Sequence, residues 1–199
     1  MSIKTQSLLF FCFLFFGTLI AQSEKSVSII DFNLSRIQHQ RRAMLVLGGW
    51  AVSNIALGAS LRGNATGETR YFHDMNAYWN VVNLGIAGLG YFAALREDPS
   101  ALDVYGTIQK HYAFQKILLF NAGLDIGYIL GGLYLTERAR RGGENADRLK
   151  GFGKSIMLQG GFLFAFDLVN YFISNTGSTQ LHLILGGIAG PSLGLQLRF

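Results

Sequence analysis

The sequence predicts an all-α, membrane-spanning bundle of four to five helices, and three observations carry that expectation. Only 15% of the 199 residues are charged, half are hydrophobic and 25 are glycine, whereas a soluble domain carries about a quarter charged residues. Apolar stretches of about 20 residues, the length that crosses a bilayer as a helix, recur along the chain. One of them, residues 75–95, MNAYWNVVNLGIAGLGYFAAL, lacks Asp, Glu, Lys, Arg and His. It nevertheless places Asn76, Asn80 and Asn83 on one helical stripe, which Ala87, Gly90 and Ala94 continue. Lipid would not tolerate that stripe, so it is expected to face other helices.

Taken in order, residues 1–21 read as a secretory signal peptide: Lys4 supplies the positive start, residues 8–20 the short apolar core, and Ala21 before Gln22 the cleavage point. An uncleaved anchor is the alternative. The only cysteine, Cys12, lies in this segment. The mature chain therefore offers no disulfide, thiolate ligand or thiol nucleophile, which excludes zinc-ribbon, iron–sulfur and cysteine-hydrolase chemistry.

Residues 22–42 form an extracytoplasmic amphipathic segment, with a short helix over 31–42 that runs into the first span. The bundle proper occupies 43–199. Its first span is 43–61, with Asn54 near the middle. Residues 62–74 read as a turn-rich loop because Gly63, Asn64, Gly67, Glu68 and Arg70 break the apolar pattern. The asparagine-striped stretch is the second span. Asp98 and Pro99 suit the N-cap and first turn of a new helix, which begins amphipathic and continues as the third span, 117–136. There Gly123, Gly127 and Gly131 give a small-xxx-small surface, and Asn121, Asp125, Tyr128 and Gly132 lie on the other side. Residues 137–154 form the most basic loop. The fourth span, 155–174, carries Gln159, Asp167 and Asn170. A short loop, 175–180, then leads to the apolar tail, 179–199, which is long enough for a fifth helix kinked at Pro191 or for a half-span. The helical rather than alternating periodicity argues against an outer-membrane barrel.

The net charge of +5 sits in loops rather than along one face, so it reads as topology-setting charge and not as a nucleic-acid surface. The basic 137–154 loop is expected in the cytoplasm and the start of the mature chain outside it. Together these expectations place the protein in the inner membrane of a Gram-negative-type cell. An Ile-Gln start followed by an apolar run occurs in both 35–58 and 106–132, which suggests two helical hairpins in the same orientation.

Alternating span directions bring Asn54, Asn83, Asp125 and Asp167 to similar depth. No Lys, Arg or His lies inside these four spans. Two carboxyls in low dielectric without a basic partner cannot both stay charged cheaply; they take up protons, share one, or hold a cation. An ionisable residue inside a span is a functional-site hypothesis, and the candidate ligand-binding set is Asn54, His73, Asn76, Asn80, Asn83, Asn121, Asp125, Asp167 and Asn170. The competing reading is structural: side-chain hydrogen bonds between helices fix their register at about 0.6 kcal/mol each. His39, His111 and His182 gather toward the outer face, but their spacing matches no metal motif. Phosphate-loop and HExxH patterns are absent from the sequence, so no catalytic residue, metal or cofactor is assigned.

Residues 41–58, RRAMLVLGGWAVSNIALG, and 71–88, YFHDMNAYWNVVNLGIAG, resemble a family of small membrane proteins of unknown function found in Gram-negative bacteria. The resemblance implies an integral membrane location. It marks His73, Asn76, Trp79, Asn80 and Asn83 as family-motif positions without a known role. The expected function is binding of a small ligand or cation at the polar seam, with transport as one use of such a site. The alternative is a structural or accessory subunit that docks on a membrane partner, or on a second copy, through its Gly-rich third span.

Overall fold

The computed structural model describes residues 28–188, so the expected signal peptide, Cys12 and the end of the tail lie outside the described residues. Within them the chain is all-helical: α1 Ile29–Leu61, α2 Gly67–Arg96, α3 Val104–Ala139 and α4 Ala146–Ile188, with one 3-10 turn at Arg62–Asn64. Three of these helices, α1, α3 and α4, are long and apolar enough to cross a membrane. The amide stripe lowers the hydropathy of α2, yet its outward residues Val81, Val82, Ile86, Leu89 and Phe92 are apolar and exposed. The interior has the opposite character. Asn33, Asn80 and Gln159 are fully enclosed, and Asn76, Asn83, Asp125 and Asp167 nearly so. Apolar side chains outside and small or amide residues inside is the pattern expected of helices packed in lipid.

Local chemistry sets the helix ends. Ser28 caps α1, its hydroxyl accepting from the Asp31 N–H at 3.1 Å while the Asp31 carboxylate accepts from the Ser28 N–H, a reciprocal capping box. The helix then runs unbroken through the expected amphipathic segment into the first span. The 62–74 loop is shorter than the sequence suggests, because α2 begins at Gly67 and includes Glu68 and Arg70. The third helix starts later than Asp98–Pro99. The Asp98 carboxylate instead accepts from the N–H and hydroxyl of Ser100, closing a tight turn, and Asp103 caps α3 by accepting from the Gly106 N–H at 2.8 Å. The basic connection contracts to residues 140–145, since Arg148, Lys150 and Lys154 already belong to α4. Lys150 and Lys154 both reach Glu68, at 2.7 and 2.6 Å, tying the start of α4 to that of α2. Their hydrogen bonds, from Lys150 first, draw the Glu68 carboxyl below its ordinary value.

The largest departure lies in α4. It continues through residues 175–180, where a loop was expected, to Ile188, so the first half of the expected fifth helix is a prolongation of the fourth. Tertiary contacts hold it. Gln115 of α3 donates to the Ser178 and Ser174 hydroxyls at 3.0 and 3.4 Å, and His111 pairs with Ser178 at 2.9 Å. Within the stretch that resembles a turn, Ser178 is the buried residue that α3 binds.

The helices pair as two consecutive hairpins, α1 with α2 and α3 with α4, and α4 also packs along α2. Glycine permits the close approaches. A Cβ on Gly132 would lie 2.5 Å from the Gly153 carbonyl oxygen, and one on Gly153 would lie 2.6 Å from that of Gly132, so α3 and α4 touch backbone to backbone. Gly123, Gly127 and Gly131 meet nothing within 4 Å; within the chain it is the opposite face of α3 that packs. At the end of the bundle near the α2–α3 connection, Arg36 lies almost fully buried and paired with Glu97, which also accepts from Lys110 at 2.9 Å. Burial opposes charge on Glu97, but the hydrogen bonds from Arg36 and Lys110 outweigh it and hold the carboxyl below its ordinary value.

Candidate functional site

The candidate residues separate into two groups. The first is a closed hydrogen-bonded seam where α1, α2 and α4 meet. Gln159 accepts from the Trp50 indole N–H at 2.8 Å and donates to the amide oxygens of Asn76 at 3.0 Å and Asn54 at 3.4 Å. Ser155 donates to the same Asn76 oxygen at 2.6 Å. Asn54 and Asn80 return their amide N–H groups to the carbonyls of Trp50 and Asn76, one turn back on their own helices. Trp50 closes the group by stacking on Phe162, with ring centroids 3.8 Å apart and planes 4° from parallel. Asn54 and Asn76 are tied through Gln159, and Asn80 bonds the Asn76 carbonyl while its own amide oxygen accepts from Asn83 at 3.3 Å, an arrangement that fixes helix register. Gln159 is the centre of this network and was not among the site candidates. Its period matches Ser155 and Asp167 along one face of α4, but the sequence gives no sign that one amide ties three helices.

The second group lines a cavity of about 500 Å³. Its walls include Asn83 from α2, Asn121 and Asp125 from α3, and Asp167 and Asn170 from α4. Five of the nine candidate residues thus share one enclosure, and His73 borders neither this cavity nor the seam. Asp125 and Asp167 meet carboxyl to carboxyl across the α3–α4 interface. Oδ2 of Asp125 is buried and has no donor among the described residues. A proton held between the two acids, or a cation beside them, would supply what the protein does not. Among the described residues no Lys, Arg or His lines the cavity. Most of the remaining wall is apolar or aromatic, with Trp79, Phe114, Tyr128 and Phe166 around the polar floor. Such a lining, mainly hydrophobic with a few convergent polar groups, is typical of small-molecule sites.

The cavity opens to one side only in its exposed lining. Every wall residue that is also exposed belongs to α2 or α3: Val82, Ile86, Ile117, Leu124 and Tyr128. Those from α1 and α4 are buried or half-buried. Although consecutive in sequence, α2 and α3 nowhere approach within 8 Å between Cα atoms. Side chains bridge the gap at one point, where Trp79 and Tyr128 meet edge to face with centroids 4.8 Å apart.

Phe114 also borders a second, smaller cleft of about 230 Å³, lined by Arg36, His39, His111 and Gln180 among others and by no acid. Phe114 therefore stands between an acidic cavity and a basic cleft, with His39 packed edge to face against it at 5.9 Å. Among the described residues no three His, Cys, Asp or Glu side chains cluster as a metal ion requires.

No curated protein and no solved structure matches the chain. A family model described as Family of unknown function (DUF6992) matches residues 46–168, more than half of the sequence, with all of α2 and α3 and part of α1 and α4, and the chain belongs to that family.

Proposed function

We propose that the protein is an inner-membrane protein of a Gram-negative-type cell, with four spans, that binds a small ligand or cation in the cavity at its polar seam. The single observation that carries this reading is the pair of adjoining carboxyls, Asp125 and Asp167, on a cavity wall that contains no basic side chain. Intramembrane acids are costly, and their position beside an open volume fits a ligand better than it fits helix register alone. The register role is already served by the seam around Gln159. The signal peptide and an extracytoplasmic start to the mature chain complete the reading, and transport is one use of such a site.

The test is reconstitution in vesicles. Asp125→Asn and Asp167→Asn keep the side-chain shape and remove the charge. Each is expected to lower ligand binding or cation flux about tenfold or more, a loss of about 1.4 kcal/mol, while circular dichroism stays that of the parent. Parental binding and flux in both variants would reject the reading.

A second reading, an accessory subunit or homo-oligomer, is favoured by one observation: Gly123, Gly127 and Gly131 line an exposed flank of α3 against which nothing among the described residues packs. If a partner helix docks there, Gly127→Leu should abolish co-purification or self-association without loss of fold, and an unchanged oligomeric state and pull-down would count against docking.

A further inference from the structure

We infer that the ligand of the cavity is a lipophilic organic cation, such as an ammonium on an apolar body, which enters sideways from the membrane between α2 and α3. The inference rests on the cavity-binding reading above and adds the ligand class and its route. Three features of the enclosure combine to give the class. Asp125 and Asp167 supply paired carboxyl oxygens, one of them buried without a donor. No side chain on the wall carries positive charge. Four aromatic rings, Trp79, Phe114, Tyr128 and Phe166, line the same cavity as the acids, and aromatic faces attract organic cations more strongly once water is excluded. A small inorganic ion could take the carboxyl and amide oxygens but would leave most of the 500 Å³ and its apolar wall unfilled. An apolar body with one cationic end satisfies both parts of the surface.

The route follows from the exposed rim. All exposed lining residues lie on α2 and α3, whose backbones never meet, so the mouth faces the acyl chains. The edge-to-face contact of Trp79 with Tyr128 spans it, and a rotation of either ring widens it. The other approach, through the smaller cleft, passes Arg36 and His39 and is stopped by Phe114.

The experiment uses the full chain in phosphatidylcholine nanodiscs, whose zwitterionic surface does not itself collect cations. The probes are benzyltrimethylammonium and its neutral isostere neopentylbenzene, which differ in charge and hardly in shape. Trp79 reports occupancy: the emission change is taken as the difference between the parent and Trp79→Phe, which removes the contribution of Trp50. The cation is expected to bind saturably and about tenfold or more tightly than the isostere, and the double variant D125N/D167N should erase that preference. Lipids brominated on the acyl chain should quench Trp79 in the empty protein, and the bound cation should protect it. Equal affinity for the two probes, unaffected by D125N/D167N, would overturn the cationic class and leave a cavity that binds neutral ligands. Absence of acyl-chain quenching would overturn the lateral route. If neither probe perturbs Trp79 and the aspartate variants also match the parent in the vesicle assay, cavity binding itself fails.

Discussion

Gly132→Leu is expected to unfold the α3–α4 hairpin, whereas Gly131→Leu, one position earlier, leaves it intact. The two glycines share a dipeptide and differ only in which way they face. A Cβ on Gly132 meets the Gly153 carbonyl oxygen at 2.5 Å and the Met157 backbone nitrogen at 3.0 Å. Both are backbone atoms of a long rigid helix, so they can yield only if α4 moves away bodily. That would separate Gly160 from the turn of α3 around Asp125 and Ile129, which it contacts closely, and open the carboxyl pair. Overpacking costs about 1–3 kcal/mol where neighbours can adjust, and more where they cannot; the upper end or beyond applies here. At Gly131 nothing stands within 4 Å. A side chain there points outward and removes the entropic cost of a helical glycine, about 0.5–1 kcal/mol. Thermal unfolding in detergent, followed by circular dichroism, separates the two: a fall in midpoint or loss of expression for Gly132→Leu, and an unchanged or higher midpoint for Gly131→Leu. Equal midpoints would mean that the helices are not in backbone contact.

Glu97→Leu should destabilise by about 3 kcal/mol, the typical cost of stranding one partner of a buried ion pair. The Arg36 side chain is 5% exposed and Glu97 is its carboxylate. With Glu97 gone, the guanidinium keeps only the Asn33 amide oxygen, at 3.3 Å, and its Nε has no acceptor even in the parent. Lys110 is about half exposed, so its share of the loss is small. The pH dependence has a definite sign. The folded-state pKa of Glu97 lies below its ordinary value, despite the opposing effect of burial, because Arg36 and Lys110 bond the ionised form. The unfolded chain therefore takes up this proton first as pH falls. The stabilisation is fully present above the ordinary glutamate value of about 4.3 and is lost as pH drops through the lower folded value. The difference in midpoint between parent and Glu97→Leu should be constant near neutrality and shrink below about pH 4. A difference independent of acid would place the effect in packing rather than charge.

The sequence disclosed the general plan because helical periodicity is a local property. Asn76, Asn80, Asn83, Ala87 and Ala94 are all buried on α2, as a 3.6-residue period requires once lipid occupies the other side. Asn83, Asp125 and Asp167 share a wall for the same reason, since equal depth and inward direction follow from the span boundaries. Other features depended on partners that a single segment does not reveal. Asp98–Pro99 has the composition of a helix start, but Ser100 captures its carboxylate, and Asn33 donates to the Pro99 carbonyl at 3.2 Å, so the segment stays a turn. Residues 175–180 have the composition of a loop and are helical because Gln115 and His111 bind their inner face. Asn54 stood at the right depth for the cavity, yet Gln159 draws it into the seam. The glycines at 123, 127 and 131 are the most regular small-residue pattern in the chain, and the intramolecular contact uses their neighbour at 132 instead.

The length of α4 has a mechanical consequence. Its 43 residues extend about 65 Å at 1.5 Å per residue, against an apolar bilayer thickness of about 30 Å. Any membrane it crosses leaves tens of ångströms of rod in water, and α1 and α3, at 33 and 36 residues, overshoot as well. The Arg36–Glu97 pair and the His111–Ser178 contact splint this excess length. Placed across a bilayer, the bundle would therefore project beyond it as a stiff pier braced by these contacts.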